Sequence, residues 1–405
     1  QEVMASVQDI PLYRIVLTGG PCGGKTTALA RLSSYLRQRG FEVFTVPEAF
    51  TILCSNGLTM DYFATREGMD LIIQGTVLEL QESLEDGMEK ILRARGKPAV
   101  ILCDRGFMDG AAYMGNERFQ TFLQSRNKDI ADAREGRYNA VIHMVTAADG
   151  APSFYSLENN VARSETPEEA IALDQKTQKA WMGHPRLLVL DNTTDFEGKM
   201  QRLIEAVAKL VGLPTNLSRA ATKYKLRAIP DLTKFTVEYQ IFEVEKIYLL
   251  APVTHHSDVS SSGPSHQYSF IRKRAIIGKD GKRVGGSVYG ITLVQKTSDG
   301  QIMEMKRIIT SREYASSMKQ RDVKRHIIQQ KRISFLYNHQ SFSIHIYEAP
   351  VKDLYILHAQ VETGTESEPR VDLPPFLDIE CQIKNNQEDD AKYGAFAVSL
   401  ISTST

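Results

Sequence analysis

Cysteine is scarce. The 405 residues hold four, Cys22, Cys54, Cys103 and Cys381, far apart and without a Cys-x-x-Cys pair. That spacing argues against a zinc site and a disulfide framework, so a reducing cytosol is the expected setting. No apolar run approaches the roughly 18 residues of a membrane span. No secretory signal opens the chain, and no internal repeat is visible. Net charge is absent too, since 49 Lys+Arg balance 49 Asp+Glu. The balance hides three blocks. Residues 1–215 hold 23 basic against 28 acidic residues, 216–350 hold 22 against 11, and 351–405 hold 4 against 10. The middle excess calls for an anion such as phosphate, a lipid headgroup or nucleic acid, or else is a solvated basic surface. Its strands offer few Gly-aromatic clusters, which argues against nucleic acid.

What is present begins with 42% hydrophobic residues and a length that allows two or three packed domains. Residues 19–26 read Gly-Gly-Pro-Cys-Gly-Gly-Lys-Thr, a full G-x-x-x-x-G-K-[ST] phosphate loop. An apolar run, Tyr13 to Leu17, precedes it, and a helical run, Thr27 to Gln38, follows. Strand, loop and helix N-terminus in that order let backbone N–H groups wrap phosphates. Gly20, Pro21, Cys22, Gly23, Gly24, Lys25, Thr26 and Thr27 are therefore the expected nucleotide-binding residues. Lys25 would reach the β- and γ-phosphates, and Thr26 would ligate Mg²⁺.

Strand and helix patterns alternate through the first half. Strands are expected at 13–18, 41–46, 99–103, 139–145 and 186–190, with helices at 25–39, 67–95 and from the Thr194–Glu197 capping pattern to Val211. This predicts a parallel α/β sheet over residues 1–212. Residues 213–230 read as a linker. Residues 231–405 turn to period two, with strands expected at 234–250, 268–277, 289–297, 303–311, 331–335, 342–347 and 355–362. A helix is expected at 314–329, and a mobile Ser-rich loop at 255–266. Seven or more short-connected strands suggest a closed antiparallel barrel.

Ile101-Leu-Cys-Asp104 is an apolar strand ending in a carboxylate. Beside a phosphate loop, that aspartate is the expected second holder of Mg²⁺. Arg105 and Gly106 complete an Asp-Arg-Gly that resembles nucleoside and nucleotide kinases, where the arginine contacts phosphate. A turn with a surface arginine is the plainer reading. Glu48, after Val46-Pro47, falls at the carboxyl edge of the sheet, either as a base or Mg²⁺ partner or as a helix N-terminal charge. Arg163 sits in a segment resembling a kinase lid. Asn192-Thr-Thr-Asp195 follows the fifth strand, where GTPases carry Asn-Lys-x-Asp. Asn192 and Asp195 are either guanine readers or the turn and cap of the last helix.

In the second half, Glu243 and Glu245 share one strand face by alternation, as do Arg272 and Arg274. Lys296, Arg307, Lys331 and Glu362 lie on later strands. Together they suggest a polar interior for a phosphorylated ligand, or else a charged outer face. These motifs resemble the CYTH, or triphosphate tunnel, family, which binds polyphosphate through inward Arg and Lys and Mg²⁺ through inward Glu. The chain departs from it at two places. Ile247 stands where that family carries lysine, with Lys246 one residue early on the opposite face, and His345 stands for a usual aspartate. The two changes point to a binding tunnel without metal chemistry. A phosphate-loop domain followed by such a tunnel and Leu373-Pro-Pro-Phe-Leu377 resembles the TRPL translocation defect protein family. That resemblance implies GTP and Mg²⁺ in the first domain. It implies anionic phospholipids, phosphatidic acid and phosphoinositides in the second, and a cytoplasmic, peripherally membrane-associated role in trafficking of membrane channels. The rival expectation is an enzyme, a nucleoside or nucleotide kinase with an appended triphosphatase.

Overall fold

A computed structural model describes residues 10–152, 166–213, 222–250, 267–296, 302–360, 371–384 and 387–401. Arg163, Glu362 and the Ser-rich loop 255–266 lie outside the described residues. The chain forms two compact units, Gln1–Ala208 and Lys209–Thr405.

In the first unit, β1 (Leu12–Thr18) leads through the phosphate loop into α1 (Lys25–Arg37). Then follow β2 (Glu42–Val46), α2 (Ala49–Ser55), α3 (Met69–Arg95), β3 (Ala99–Asp104), α4 (Asp109–Met114), α5 (Asn116–Ser125), α6 (Ile130–Arg134), β4 (Ala140–Met144), α7 (Pro167–Trp181), β5 (Leu187–Leu190) and α8 (Phe196–Leu210). The strands pair in parallel in the order β2-β3-β1-β4-β5. Ile15, Val16 and Leu17 of the central strand are fully buried, as a sheet covered on both faces requires. All strand ends that carry the motifs therefore meet at one carboxyl edge, with β1 and the Asp104 strand adjacent.

At the other end of these strands lies a buried ion network. Glu85 of α3 is fully buried and accepts hydrogen bonds from Arg14 Nη1 (3.2 Å), Arg137 Nε (2.6 Å), Tyr138 OH (2.9 Å) and Gln81 Nε2 (2.9 Å). Asp86 takes a further bond from each arginine.

The second unit is one antiparallel sheet of nine strands. They are β6 (Thr222–Leu226), β7 (Tyr239–Leu249), β8 (Tyr268–Ile277), β9 (Arg283–Lys296), β10 (Ile302–Ile309), β11 (Ile328–Tyr337), β12 (Gln340–Ala349), β13 (Tyr355–Gln360) and β14 (Ile379–Ile383). Helix α9 (Ser311–Ser317) follows β10, and α10 (Gln387–Tyr393) and α11 (Ala395–Val398) follow β14. The spatial order is β10-β9-β8-β7-β11-β12-β13-β6-β14.

Three expectations are corrected here. The sheet is open, with β10 and β14 as its edges among the described residues, so the closed barrel is not formed. The 213–230 segment is not a plain linker, because Thr222–Leu226 pairs with β13 and β14 inside the sheet. The helix expected at 314–329 is short. It ends at Ser317, a 3-10 turn covers Met318–Gln320, and Ile328 already belongs to β11.

Candidate functional site

The phosphate loop is a close-fitting backbone turn. Gly19, Cys22 and Gly24 all have positive φ, at 127°, 56° and 88°. A Cβ on Gly19 would stand 2.1 Å from the Met144 carbonyl oxygen, and one on Gly23 would stand 2.6 Å from it. Glycine is thus required where the loop rests on the end of β4. Helix α1 begins at Lys25 itself, with Ala28, Leu32 and Leu36 buried against the sheet. Lys25 Nζ donates to the carbonyls of Gly19 (3.0 Å) and Gly20 (2.8 Å). Burial, then the nearby Arg105 charge, lower its pKa to about 8. An arriving triphosphate offers this ammonium anionic acceptors and reverses that penalty.

Beneath the loop lies a constellation that sequence reasoning missed. Asp174 of α7 is buried and accepts hydrogen bonds from Gly20 N (2.6 Å), Thr146 N (3.1 Å) and His143 Nε2 (2.9 Å). Burial raises its pKa, but the His143 charge and these bonds outweigh it and hold it below the usual carboxylate value. Thr146 Oγ1 donates to Pro21 O. Nothing local in the sequence marks Asp174, and two of its partners lie 31 and 154 residues away.

Asp104 ends β3, and its Oδ1 is buried without a hydrogen-bond partner. Burial raises its pKa, against the pull of Lys25. An orphaned carboxylate oxygen beside a phosphate loop fits a cation. The Thr26 side chain lines the same cavity. Thr26 and Asp104 would hold Mg²⁺, which supplies charge neutralisation for the phosphates when bound. Among the described residues no cluster of three His, Cys, Asp or Glu could hold a metal alone. That suits an ion carried largely by phosphate and water. Asp104→Asn is expected to lower nucleotide affinity about tenfold in Mg²⁺ and leave it unchanged in EDTA. Equal losses in both conditions, read by fluorescence titration, would exclude the cation role.

Arg105 takes a left-handed backbone (φ 66°) and donates from Nε to Glu48 Oε1 at 2.5 Å. Its Nη1 donates to Gly19 O at 3.4 Å, which places the guanidinium over the start of the loop. Glu48 also accepts from Thr51 Oγ1 (2.9 Å). Burial raises the Glu48 pKa, but Arg105 overrides it and brings it to about 2. Such a carboxylate is a poor general base, because it holds a proton too weakly near neutrality. It orients Arg105 instead. Gly106 has no room for a side chain, since a Cβ would lie 2.8 Å from both Trp181 and Val16. Asp109 explains the tight turn. It accepts from Thr18 Oγ1 (2.7 Å), Trp181 Nε1 (2.6 Å) and Gly106 N (3.2 Å).

Lys25, Thr26, Glu48, Asp104, Arg105 and Asp109 line one cavity of about 1440 Å³. Asn192 and Asp195 line it as well, with the Asn192 amide and one Asp195 carboxylate oxygen engaged. Asn192 Nδ2 donates to Thr146 O (2.8 Å) and Asp149 O (2.6 Å), and its Oδ1 accepts from Lys199 Nζ (2.7 Å). Asp195 Oδ1 accepts from Gly198 N (2.8 Å) at the start of α8. These bonds build the turn and the cap of α8.

Residues 14–199 match the AAA domain family. With the parallel sheet and the loop geometry, they form a phosphate-loop NTPase-like domain. No curated protein matches the chain. No helix among the described residues is long and apolar enough to cross a membrane.

The expected tunnel residues of the second unit fall on two faces. Residues paired across antiparallel strands share a face. Lys246 pairs with Arg272, Val244 with Arg274 and with Gln330, and Phe242 with Arg332. Arg332 pairs with His345, and His358 pairs with Lys223. Arg272 and Arg274 therefore stand on a basic face with Lys246, Arg332 and the histidines. Arg274 packs its guanidinium 3.4 Å from the Phe242 ring centroid. Glu243, Glu245, Arg307 and Lys331 are on the other face. There Glu243 binds Arg283 (2.8 Å), Glu245 accepts from Tyr314 OH (2.8 Å), Arg307 pairs with Glu313 (3.6 Å) and Lys331 with Glu348 (3.1 Å). The expectation that these four share an interior with Arg272 and Arg274 is corrected by strand alternation. Lys296 ends β9, opposite Ile302.

Burial on the basic face is costly. Lys246 is lowered to about 7 by burial and then by Arg332. A guanidinium does not deprotonate in proteins, so Arg332 keeps its charge and its neighbours yield instead. One end of this face closes over the apolar cluster of Tyr248, Phe270, Ile328, Tyr347 and Ile356, packed by Phe396 and Val398.

Proposed function

We propose that the protein is a GTP-binding regulator whose second unit holds the phosphate headgroups of anionic phospholipids, and that it serves membrane-protein trafficking. The observation that carries the nucleotide half is the phosphate loop, where Lys25 faces an unpaired Asp104 carboxylate in one cavity. Guanine rests on the family resemblance. Mass identification of the nucleotide that co-purifies tests it, and an adenine nucleotide overturns that half. The lipid half is supported by the basic face, where Lys246, Arg272 and Arg332 converge while both Glu-x-Glu carboxylates point away. Such a face favours a phosphate-bearing ligand held by charge-assisted hydrogen bonds without a metal.

Vesicles containing phosphatidic acid are expected to sediment the full chain, and neutral phosphatidylcholine vesicles are not. Raising salt from about 0.1 M to about 0.5 M weakens capture several-fold, because screening shortens the reach of surface charge. EDTA leaves it unchanged. Equal sedimentation with both vesicle types would overturn the lipid half.

A second reading, phosphoryl transfer to a small acceptor, is favoured by one feature. The cavity runs past the loop to Phe50, Phe63, Gln81 and Tyr113, beside the Glu48–Arg105 pair. It exceeds the roughly 300–1,000 Å³ of a usual single-ligand pocket.

A further inference from the structure

The basic face contains a feature that charge alone does not require. His345 of β12 and His358 of β13 stack with ring centroids 3.9 Å apart and planes at 27°. The charged groups acting most on both imidazoles are cations: Arg332 from β11, Lys246 from β7 and Lys223 from β6. Arg272 lies across from Lys246 on β8, and Tyr347 continues the same face of β12. Glu304 on β10 is the carboxylate that acts on Lys246, and it is not among the groups acting most on the histidines.

We infer that His345 and His358 are proton-accepting members of the anion site, so that a polyanion binds this face together with protons. The inference rests on reading this face as an anion site. In the empty cluster, burial and then the neighbouring Arg332 keep His345 neutral, and burial and then Lys223 keep His358 neutral. Each neutral ring has one donor, and each protonated ring has two. A bound sulfate or phosphate cluster reverses the local potential and supplies acceptors for those donors. By linkage, if the anion raises proton affinity, protons raise anion affinity by the same factor. The signs follow. The free-state pKa values lie well below 6.5 and the anion-bound values lie higher. Affinity therefore rises as pH falls through the window between them.

The test uses the full chain and myo-inositol hexakissulfate, whose own charge does not change in this range. Calorimetry near pH 6 in buffers of different ionisation enthalpy is expected to show net uptake of about one proton or more, and affinity to rise about tenfold from about pH 7.5 to about pH 5.5. The double variant His345→Gln/His358→Gln is expected to lose most of the uptake near pH 6 and to keep only the pH dependence that Lys246, at about 7, contributes above that pH. Proton NMR of the unsubstituted protein gives a readout independent of that variant's folding, because the two imidazole C2 proton resonances should move toward their protonated positions as the probe is added. Binding without uptake, or uptake near pH 6 that is undiminished in the double variant, would overturn the proton linkage and leave the anion site standing. Absence of binding at every pH would overturn the anion site itself.

Discussion

Lys25→Ala is expected to weaken nucleotide binding by at least about 100-fold, the consequence of removing one partner of a desolvated charge contact. The structure makes the loss specific. Lys25 Nζ touches only carbonyls of its own loop, Gly19 and Gly20, so its removal costs the resting fold two hydrogen bonds and costs bound phosphate its main cation. Thermal stability of the empty protein should change little, while stabilisation by added nucleotide should vanish. Isothermal titration with GTP, GDP and ATP reads the effect directly. Undiminished affinity in the variant would mean that nucleotide sits somewhere other than this loop.

Glu85→Ala carries the largest expected effect on stability. The carboxylate is fully buried and joins Arg14, Arg137, Tyr138 and Gln81. Deleting it strips both guanidinium groups of their fully buried carboxylate and leaves them the more exposed Asp86 to share, a change that costs about 3 kcal/mol. For a unit of this size the melting temperature should fall by roughly 10 °C. Glu85→Gln should lose less, because the amide oxygen still accepts hydrogen bonds. The damage should also reach the nucleotide cavity. Gln81 Nε2 bonds both Glu85 and the Arg105 carbonyl, so the network supports the turn that carries Arg105. A melting temperature within about 2 °C of the parent protein would show the network to be replaceable.

The parts of the site that were legible in the sequence are those whose chemistry is local. The loop from Gly19 to Thr26 needs its glycines because the backbone itself makes the contacts, and a strand before it and a helix after it can be read from apolar spacing. Asp104 was legible for the same reason, as the polar end of a buried strand. Asp174 and His143 were not, because they meet only when α7 packs under the loop. Asn192 and Asp195 carry a motif whose local bonds are only part of what it could do. Their spacing suits base recognition, yet their hydrogen bonds serve the turn before α8.

In the second unit, period two located seven strands. It did not reveal β6, whose five residues follow what reads as a polar linker, nor β14. Alternation predicts which residues of one strand share a face. It does not say which face of a neighbouring strand meets them, since that depends on register. That gap placed Glu243 and Glu245 with Arg272 and Arg274, and the observed pairing of Val244 with Arg274 separates them.

The same pairing has an evolutionary consequence. Along Glu243-Val-Glu-Lys246, β7 presents acids to one side of the sheet and a lysine to the other. An acidic stretch and a basic face thus lie back to back on the same few codons. Sliding this strand by a single residue against its neighbours would exchange them. One small insertion or deletion could therefore trade the charge that this strand offers on each side of the sheet, with no new side chain invented.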